Sequence, residues 1–286
     1  MLYLIECSSL VYRMFHGLPD MRRPSDDHPI AVAHGCASAF WRLVKQHPSH
    51  VAVVLDRGKS QARLSLHQDY KAQRPPIRAE LACQFPFARR AAEAFGFRIV
   101  EKDGVEADDL IATHARLATA AGHDVVIVSI DKDMMQLIGP NVIMFDPLKN
   151  RQIGEEEVLR RWGVKPQQMV DLLAMSGDAS DNIKGMHGVG PKKAAALLEE
   201  FGSLDDVIAR SSEIRQSFLR GAVQRDADKA LFARALIKLD AHVDVAEATD
   251  DFAYNTFDTR TVLDFLDEME LVTLRDEIAT GMLEAA

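Results

Sequence analysis

The chain has 286 residues, 47% of them hydrophobic and 27% charged, with a formal net charge of −9. That balance excludes intrinsic disorder, and no apolar run reaches the roughly 20 residues of a membrane span. Cys7, Cys36 and Cys83 are odd in number and lack metal-type spacing, and the start at Met1 to Glu6 is not built like a secretory signal, so reduced thiols in a cytoplasmic protein are expected.

Taken in order, Leu2 to Glu6 and Val51 to Asp56 are short runs rich in branched residues, each ending on an acid, and read as buried strands. Between them Ile30 to Gln46 has helical spacing and is closed by Pro48. From Arg57 to Arg78 the chain carries Arg57, Lys59, Arg63, Lys71, Arg74 and Arg78 against one acid, Asp69, and closes on Pro75-Pro76. Such a run is either a solvated helix face or a local anion-binding patch on an acidic chain, and its weakly apolar makeup predicts mobility when free. A helix is expected over Ala79 to Phe95, a strand over Phe97 to Val100 and a helix from Glu106 to Gly122. Asp124 to Ile130 is the clearest strand and also runs into an acid, Asp131, while Val142 to Phe145 is a weaker one. This alternation predicts an α/β core over 1–154 with a mostly parallel central sheet flanked by helices. Residues 155–286 are helical only, beginning with Glu155 to Trp162 and Pro166 to Ala174, and are expected to pack on that core.

Acids crowd at three places: Glu106, Asp108 and Asp109 at the start of a helix, Asp131 with Asp133, and Asp178 with Asp181. One or two acids favour a first helical turn, but a third adds repulsion without a partner. In open parallel sheets the functional crevice lies at the carboxyl ends of the strands, where Glu6, Asp56 and Asp131 would emerge beside the Glu106 cluster. Hard cations with oxygen ligands, magnesium or manganese above all, would relieve the clusters together.

Gly188-Val189-Gly190-Pro191-Lys192-Lys193 follows, leading into an Ala/Leu-rich helix. Glycines allow a tight turn, Pro191 suits a first helical position, and the opening N–H groups can hold an anion. This is a helix-hairpin-helix signature, suited to DNA backbone irrespective of base sequence.

With these segments together the chain resembles the 5′ nuclease family: the 5′-3′ exonuclease domain of bacterial DNA polymerase I, phage 5′ exonucleases and flap endonucleases. The resemblance runs in order through Leu4 to Ser9, Tyr12 to His16, Val53 to Asp56, Tyr70 to Pro76, Glu106 to Asp109, Asp131 to Asp133, Gly177 to Asn182, Gly188 to Lys193 and Phe265 to Leu271. It implies a PIN-like nuclease core, the basic segment 57–78 serving as arch, and a helical region carrying the hairpin. It further implies two Mg2+ or Mn2+ ions, one group of ligands being Glu6, Asp56, Glu106, Asp108 and Asp109 and the other Asp131, Asp133, Asp178 and Asp181. Lys71 and Arg74 would draw in the scissile phosphate, Tyr70 would stack on an unpaired base, and Arg13 would hold backbone phosphate. Gly188, Gly190, Lys192 and Lys193 would grip duplex, with a potassium ion at the hairpin in family members.

One departure stands out: the family's first strand usually ends in Asp-Gly, and Glu6-Cys7 stand here. Glutamate keeps the charge but reaches one methylene further, so coordination is expected to persist with a displaced ion or other waters, while Cys7 is expected to pack as a small core residue. The expected activity is structure-specific hydrolysis near 5′ ends or 5′ flaps of branched DNA, by a monomer without membrane attachment, in replication or repair. A catalytically silent DNA-branch-binding protein of the same fold is the alternative from another class. A PIN-like ribonuclease shares the acidic sheet edge, but the hairpin and basic segment favour duplex DNA.

Overall fold

The structure is a computed structural model describing residues 1–285. The chain forms β1 (Leu2–Glu6), α1 (Cys7–Gly17), α2 (Ala31–Val44), β2 (His50–Val54), α3 (Gln61–Leu66), α4 (Ala79–Ala82), α5 (Phe85–Ala94), β3 (Arg98–Val100), α6 (Ala107–Ala120), β4 (Val125–Val128), β5 (Val142–Asp146) and β6 (Arg151–Ile153). Then come α7 (Glu155–Trp162), α8 (Met169–Ser176), α9 (Pro191–Phe201), α10 (Leu204–Ala209), α11 (Ser217–Ile237), α12 (Thr259–Glu268) and α13 (Val272–Ala285). The sheet order is β3-β2-β1-β4-β5-β6, parallel except for the β5–β6 hairpin. No helix among the described residues is long and apolar enough to cross a membrane.

Strand alternation divides the core into two layers. Leu2 and Leu4 of β1, Ala52 and Val54 of β2, and Val125 and Ile127 of β4 face α6 and the helical region. Tyr3, Ile5, Val51, Val53, Val126 and Val128 face α1, α2 and α5. Both faces are covered, so the strands read as continuous apolar runs, and each fully buried aliphatic side chain contributes about 1.5–3 kcal/mol. The final helices do not stay with the helical region: Val262, Phe265 and Leu266 of α12 and Leu274 and Ile278 of α13 join the α1–α2–α5 layer.

Three elements differ from the sequence expectation. The single helix over 79–95 is two, joined by a turn at Cys83 and Gln84: Pro86 sits in the first turn of the second helix, where its missing N–H is tolerated, and the Gln84 side chain accepts the Val32 N–H at 2.9 Å. α1 has no side-chain N-cap and opens with Cys-Ser-Ser, so its start carried no local signal. β6 is a three-residue edge strand whose pairing depends on a turn with Asn150 at φ 47.

Two glycines shape the loop between α8 and α9. A Cβ on Gly177, at φ +79, would meet the Gly185 nitrogen at 2.6 Å, and one on Gly185 would meet the Gly177 nitrogen at 2.3 Å. The backbone therefore crosses itself, and paired 2.8 Å bonds between Asp178 and Ile183 close a small loop that presents Asp178 and Asp181. Further on, α11 kinks at Asp226, whose carboxylate accepts the His187 N–H at 3.0 Å and pairs with Arg225 and Lys229. That contact ties the hairpin segment to α11.

Candidate metal centre and nucleic-acid cleft

Parallel pairing places Glu6, the last residue of β1, beside the chain leaving β2 and β4. Glu6, Asp56, Asp108 and Asp131 line one open cleft at this edge, with Lys71 and Arg74 on its rim. Asp56 accepts the Ser8 hydroxyl at 2.5 Å and the Ala107 N–H at 2.9 Å, which locks the end of β2 to the start of α6. Ser129 donates its hydroxyl to Glu6 and accepts the Asp131 N–H at 2.9 Å, so one serine spaces two acids. That bond accommodates the longer glutamate, whose carboxylate stays in the cleft.

Burial, with Asp131 next and Asp56 adding to it, pushes Glu6 up to about 8 against the pull of Ser129 and Lys71. Asp108 is likewise raised, by burial first and then by Glu6 and Asp131. Neighbouring Cys7 is buried, and its thiol is pushed up to about 12 by burial and then by Asp56 and Glu6, so it packs as a neutral core residue.

The second group adjoins the first. Asp133, Asp178 and Asp181 each bring one carboxylate oxygen within 4.8 Å of the others. Asp131 caps the 3-10 turn Lys132–Leu137 by accepting the Asp133 N–H at 3.0 Å, which turns Asp133 inward. Burial and then Asp131 push Asp133 up to about 7, and its Oδ1 is buried with no hydrogen-bond partner. Lys132 reaches Asp178 at 2.7 Å and Asp133 at 3.7 Å. Burial would raise Asp178, but the bonds from Lys132 and Ser180 hold it below the usual carboxylate range.

Three sequence assignments need correction. Asp109 is not available as a ligand: Arg63 grips it at 2.6 and 2.8 Å, and its Oδ1 also accepts the Asp240 N–H at 2.9 Å. Successive helical residues diverge by about 100°, so Asp108 and Asp109 cannot both face the cleft. Glu106 is mostly committed as well, its Oε2 accepting Arg63 at 3.0 Å and the Tyr70 hydroxyl at 3.1 Å. Only Oε1, held by Lys71 at 2.8 Å, connects Glu106 to the cleft. Tyr70 is 3% exposed and bridges Glu106 and Asp181, so it offers no free face to a base. An exposed ring does line the cleft, and it belongs to Tyr12.

Sequence reasoning also missed Arg63, Ser129, Ser8 and Lys132. Arg63 is the most consequential, because it lies in the basic run and yet is buried with Glu106 and Asp109, its Nε bonded to the Leu236 carbonyl at 2.9 Å. A signal existed in the three acids of 106–109, which could not all be relieved from one side.

Instead of projecting freely, residues 69–74 of the basic segment are folded onto the acidic loop, while Arg57 pairs with Glu101 and Asp103 and Arg78 with Glu80. Lys71, at φ 54, donates its N–H to the Asp181 carbonyl at 3.1 Å, Gln73 reaches the Ala179 carbonyl at 2.7 Å, and Asn182 reaches back to the Asp69 carbonyl at 2.8 Å. Arg74 meets Asp181 at 2.7 Å. Burial alone would lower Lys71, but Glu106 and Asp181 raise it on balance, so it stays charged. Arg13 lines the cleft while pairing with Asp146 at 3.2 Å.

At the hairpin, Gly188 has φ +74, Gly190 caps α9, and Pro191 is its first residue. Gly188, Gly190 and Lys192 are exposed. Lys193 bends back to donate to the Gly188 carbonyl at 2.8 Å, with its ammonium 5.0 Å from the centre of the Phe218 ring. It closes the hairpin and is less free to reach outward than sequence reasoning supposed.

The chemistry of this donor set suits hard divalent cations. It is all oxygen, and it contains a buried carboxylate oxygen, Oδ1 of Asp133, with no hydrogen-bond partner. Residues 1–163 match the family model for the 5′-3′ exonuclease N-terminal resolvase-like domain, and residues 164–260 match that for the 5′-3′ exonuclease C-terminal SAM fold. The 5′-3′ exonuclease of Aquifex aeolicus is 32% identical, covering 97% of this chain and 94% of its own length. DNA polymerase I of Rhizobium leguminosarum is 40% identical over 97% of this chain, which spans 28% of that polymerase. Among solved structures, T5 5′-exonuclease with bound zinc superposes with a TM-score of 0.71 at 23% identity, covering 99% of this chain and 98% of the other. The catalytic core of Rad2 in complex with DNA substrate superposes with a TM-score of 0.63 at 15% identity, covering 98% and 92%. At these identities the two structures speak to the fold.

Two outcomes follow from this geometry. In urea unfolding with chelator present, Arg63→Ala and Asp109→Asn should each lose roughly 3 kcal/mol or more, because one partner of a buried pair is stranded. Asp108→Asn should be neutral or stabilising, since it removes repulsion; a comparable loss there would contradict the division between structural and cleft acids. The second concerns protons: Glu6 at about 8 and Asp133 at about 7 hold protons near neutrality, and a divalent cation must displace them. Calorimetry in buffers of different ionisation enthalpy should therefore show proton release on metal binding near about pH 6.5 and little near about pH 9. Affinity should rise across that interval; flat affinity without proton release would overturn the assignment.

Proposed function

The chain belongs to the 5′-3′ exonuclease family, and on that premise we propose that it is a structure-specific 5′ nuclease. It hydrolyses phosphodiester bonds near 5′ ends or 5′ flaps of branched DNA, as a monomer, in replication or repair. The observation that carries this reading is the cleft of Glu6, Asp56, Asp108 and Asp131 beside the Asp133, Asp178 and Asp181 group, rimmed by Lys71 and Arg74.

Glu6, Asp56, Asp108 and Asp131 would hold one divalent cation, with Oε1 of Glu106 at the margin, and Asp131, Asp133, Asp178 and Asp181 the other. Such ions supply a nucleophilic water at neutral pH and neutralise charge on the attacking and leaving oxygens. Magnesium or manganese is the proposed ion, supported by the all-oxygen set, and a potassium ion at the hairpin is supported by the motif around Gly188 and Gly190.

The side chains do the rest. Lys71 and Arg74 compensate Glu106 and Asp181 in the free protein, and turn to the scissile phosphate once those carboxylates acquire other positive charge. Arg13 approaches the phosphate from the floor of the cleft, and exposed Tyr12 offers a ring to an unpaired base, a contact worth about 1–3 kcal/mol. Gly188, Gly190 and Lys192 hold duplex backbone away from the cut, where no base is read.

The test is a labelled 5′-flap duplex incubated with magnesium or manganese. Wild type should cleave near the junction, and Asp131→Asn should lose at least about 100-fold in rate while still binding the duplex in calcium. No cleavage by wild type with either ion rejects the reading, and preserved cleavage in the variant shows the site misassigned.

A further inference from the structure

At the opposite end of the sheet, His50, His123 and Asp250 bring one ligand atom each within 4.8 Å of one another. They come from separate segments: His50 opens β2, His123 sits in the turn before β4, and Asp250 lies in the 3-10 turn Thr249–Phe252. The five residues of β1 separate this edge from Glu6, a rise of roughly 13 Å, so the cluster is distinct from the cleft.

The tautomer of His50 is determined by its neighbour. Ser49 Oγ lies 2.8 Å from the Met1 carbonyl and 3.0 Å from the Met1 ammonium, and with its hydroxyl proton directed at that carbonyl the 3.0 Å contact to His50 Nδ1 is an Nδ1–H donation. That leaves the Nε2 lone pair free, held as an outer hydrogen bond holds a metal-ligating imidazole. Nε2 stands 3.9 Å from Asp250 Oδ1, too far for a hydrogen bond. Ligand atoms on one tetrahedral zinc are roughly 3.4 Å apart, so a small rotation of the exposed Asp250 side chain lets both share an ion. The His123 ring lies 4.8 Å from that of His50, inclined at 78°.

All three backbones are anchored. Ser49 accepts the Tyr254 N–H at 2.8 Å, His50 forms an isolated bridge with Ala253, and Phe252 is buried beside His114. His123 donates its N–H to the Ala118 carbonyl at 2.9 Å, and the Asp124 carbonyl accepts the Leu2 N–H at 2.8 Å.

We propose that His50, His123 and Asp250 form a second, non-catalytic site for a borderline-soft divalent transition metal, zinc in the first instance. Two imidazoles with one carboxylate select such an ion over magnesium, and three protein ligands leave a fourth position to water. Bound there, the ion clips the segment entering the last two helices to the amino-terminal edge of the sheet.

The experiment is zinc titration of the full chain with magnesium saturating the carboxylate cleft, followed by calorimetry and thermal unfolding. Wild type should bind one equivalent of magnesium-resistant zinc and gain a few degrees in Tm. His123→Ala and Asp250→Asn should each weaken that zinc at least tenfold and abolish the gain, with flap cleavage in magnesium unchanged. Zinc affinity and Tm response that persist in both variants, or zinc that magnesium fully displaces, would overturn the proposal. A failed flap assay would leave these readouts intact, because they do not depend on cleavage.

Discussion

Electrostatic repulsion among carboxylates at the carboxyl edge of the sheet is the constraint around which the site is built. A parallel sheet delivers Glu6, Asp56 and Asp131 to one edge whether or not their charges agree, and α6 adds Asp108 from above. Two unit charges a few ångströms apart at a partly buried site repel by several kcal/mol, which a marginally stable domain cannot ignore. Glu6, Asp108 and Asp133 are raised by burial first and by this repulsion second. A fold that keeps such a cluster does so for ligands that reward it.

The chain offsets the repulsion in two different ways. Arg63 is a permanent counterion, because guanidinium and carboxylates are all buried and the backbone at Leu236 holds the arginine in place. Lys71, Arg74 and Lys132 are partners at the cleft side, where an incoming ion or phosphate can compete for them. The basic segment thus has a structural end at Arg63 and a working end at Lys71 and Arg74. Its backbone bonds to residues 179–182 make any rearrangement of one loop a rearrangement of the other.

Much of this was legible in the sequence. Branched runs ending on acids revealed the strands and the edge where Glu6, Asp56 and Asp131 meet, and the glycine-proline-lysine turn revealed the hairpin, because these signals are local. What escaped depends on partners distant in the chain. Nothing near Arg63 says that it will be buried beside acids some 40 residues on, and the exposure of Tyr12 against the burial of Tyr70 follows from how α1 and the basic segment dock. Asp109 was within reach: adjacent helical positions face different ways, so one of Asp108 and Asp109 had to leave the cleft. The two-layer core was readable only in part, since α12 and α13 return to the α2–α5 face across the whole chain.

A crystal soaked in manganese and measured for anomalous scattering would test the central claim most directly. Two peaks are expected at the strand ends, one within ligand distance of Glu6, Asp56 and Asp108, the other reached by Asp133, Asp178 and Asp181, with Asp131 between them. Asp109 should remain on Arg63 throughout. A peak ligated by Asp109, or no manganese among the cleft carboxylates, would contradict the account.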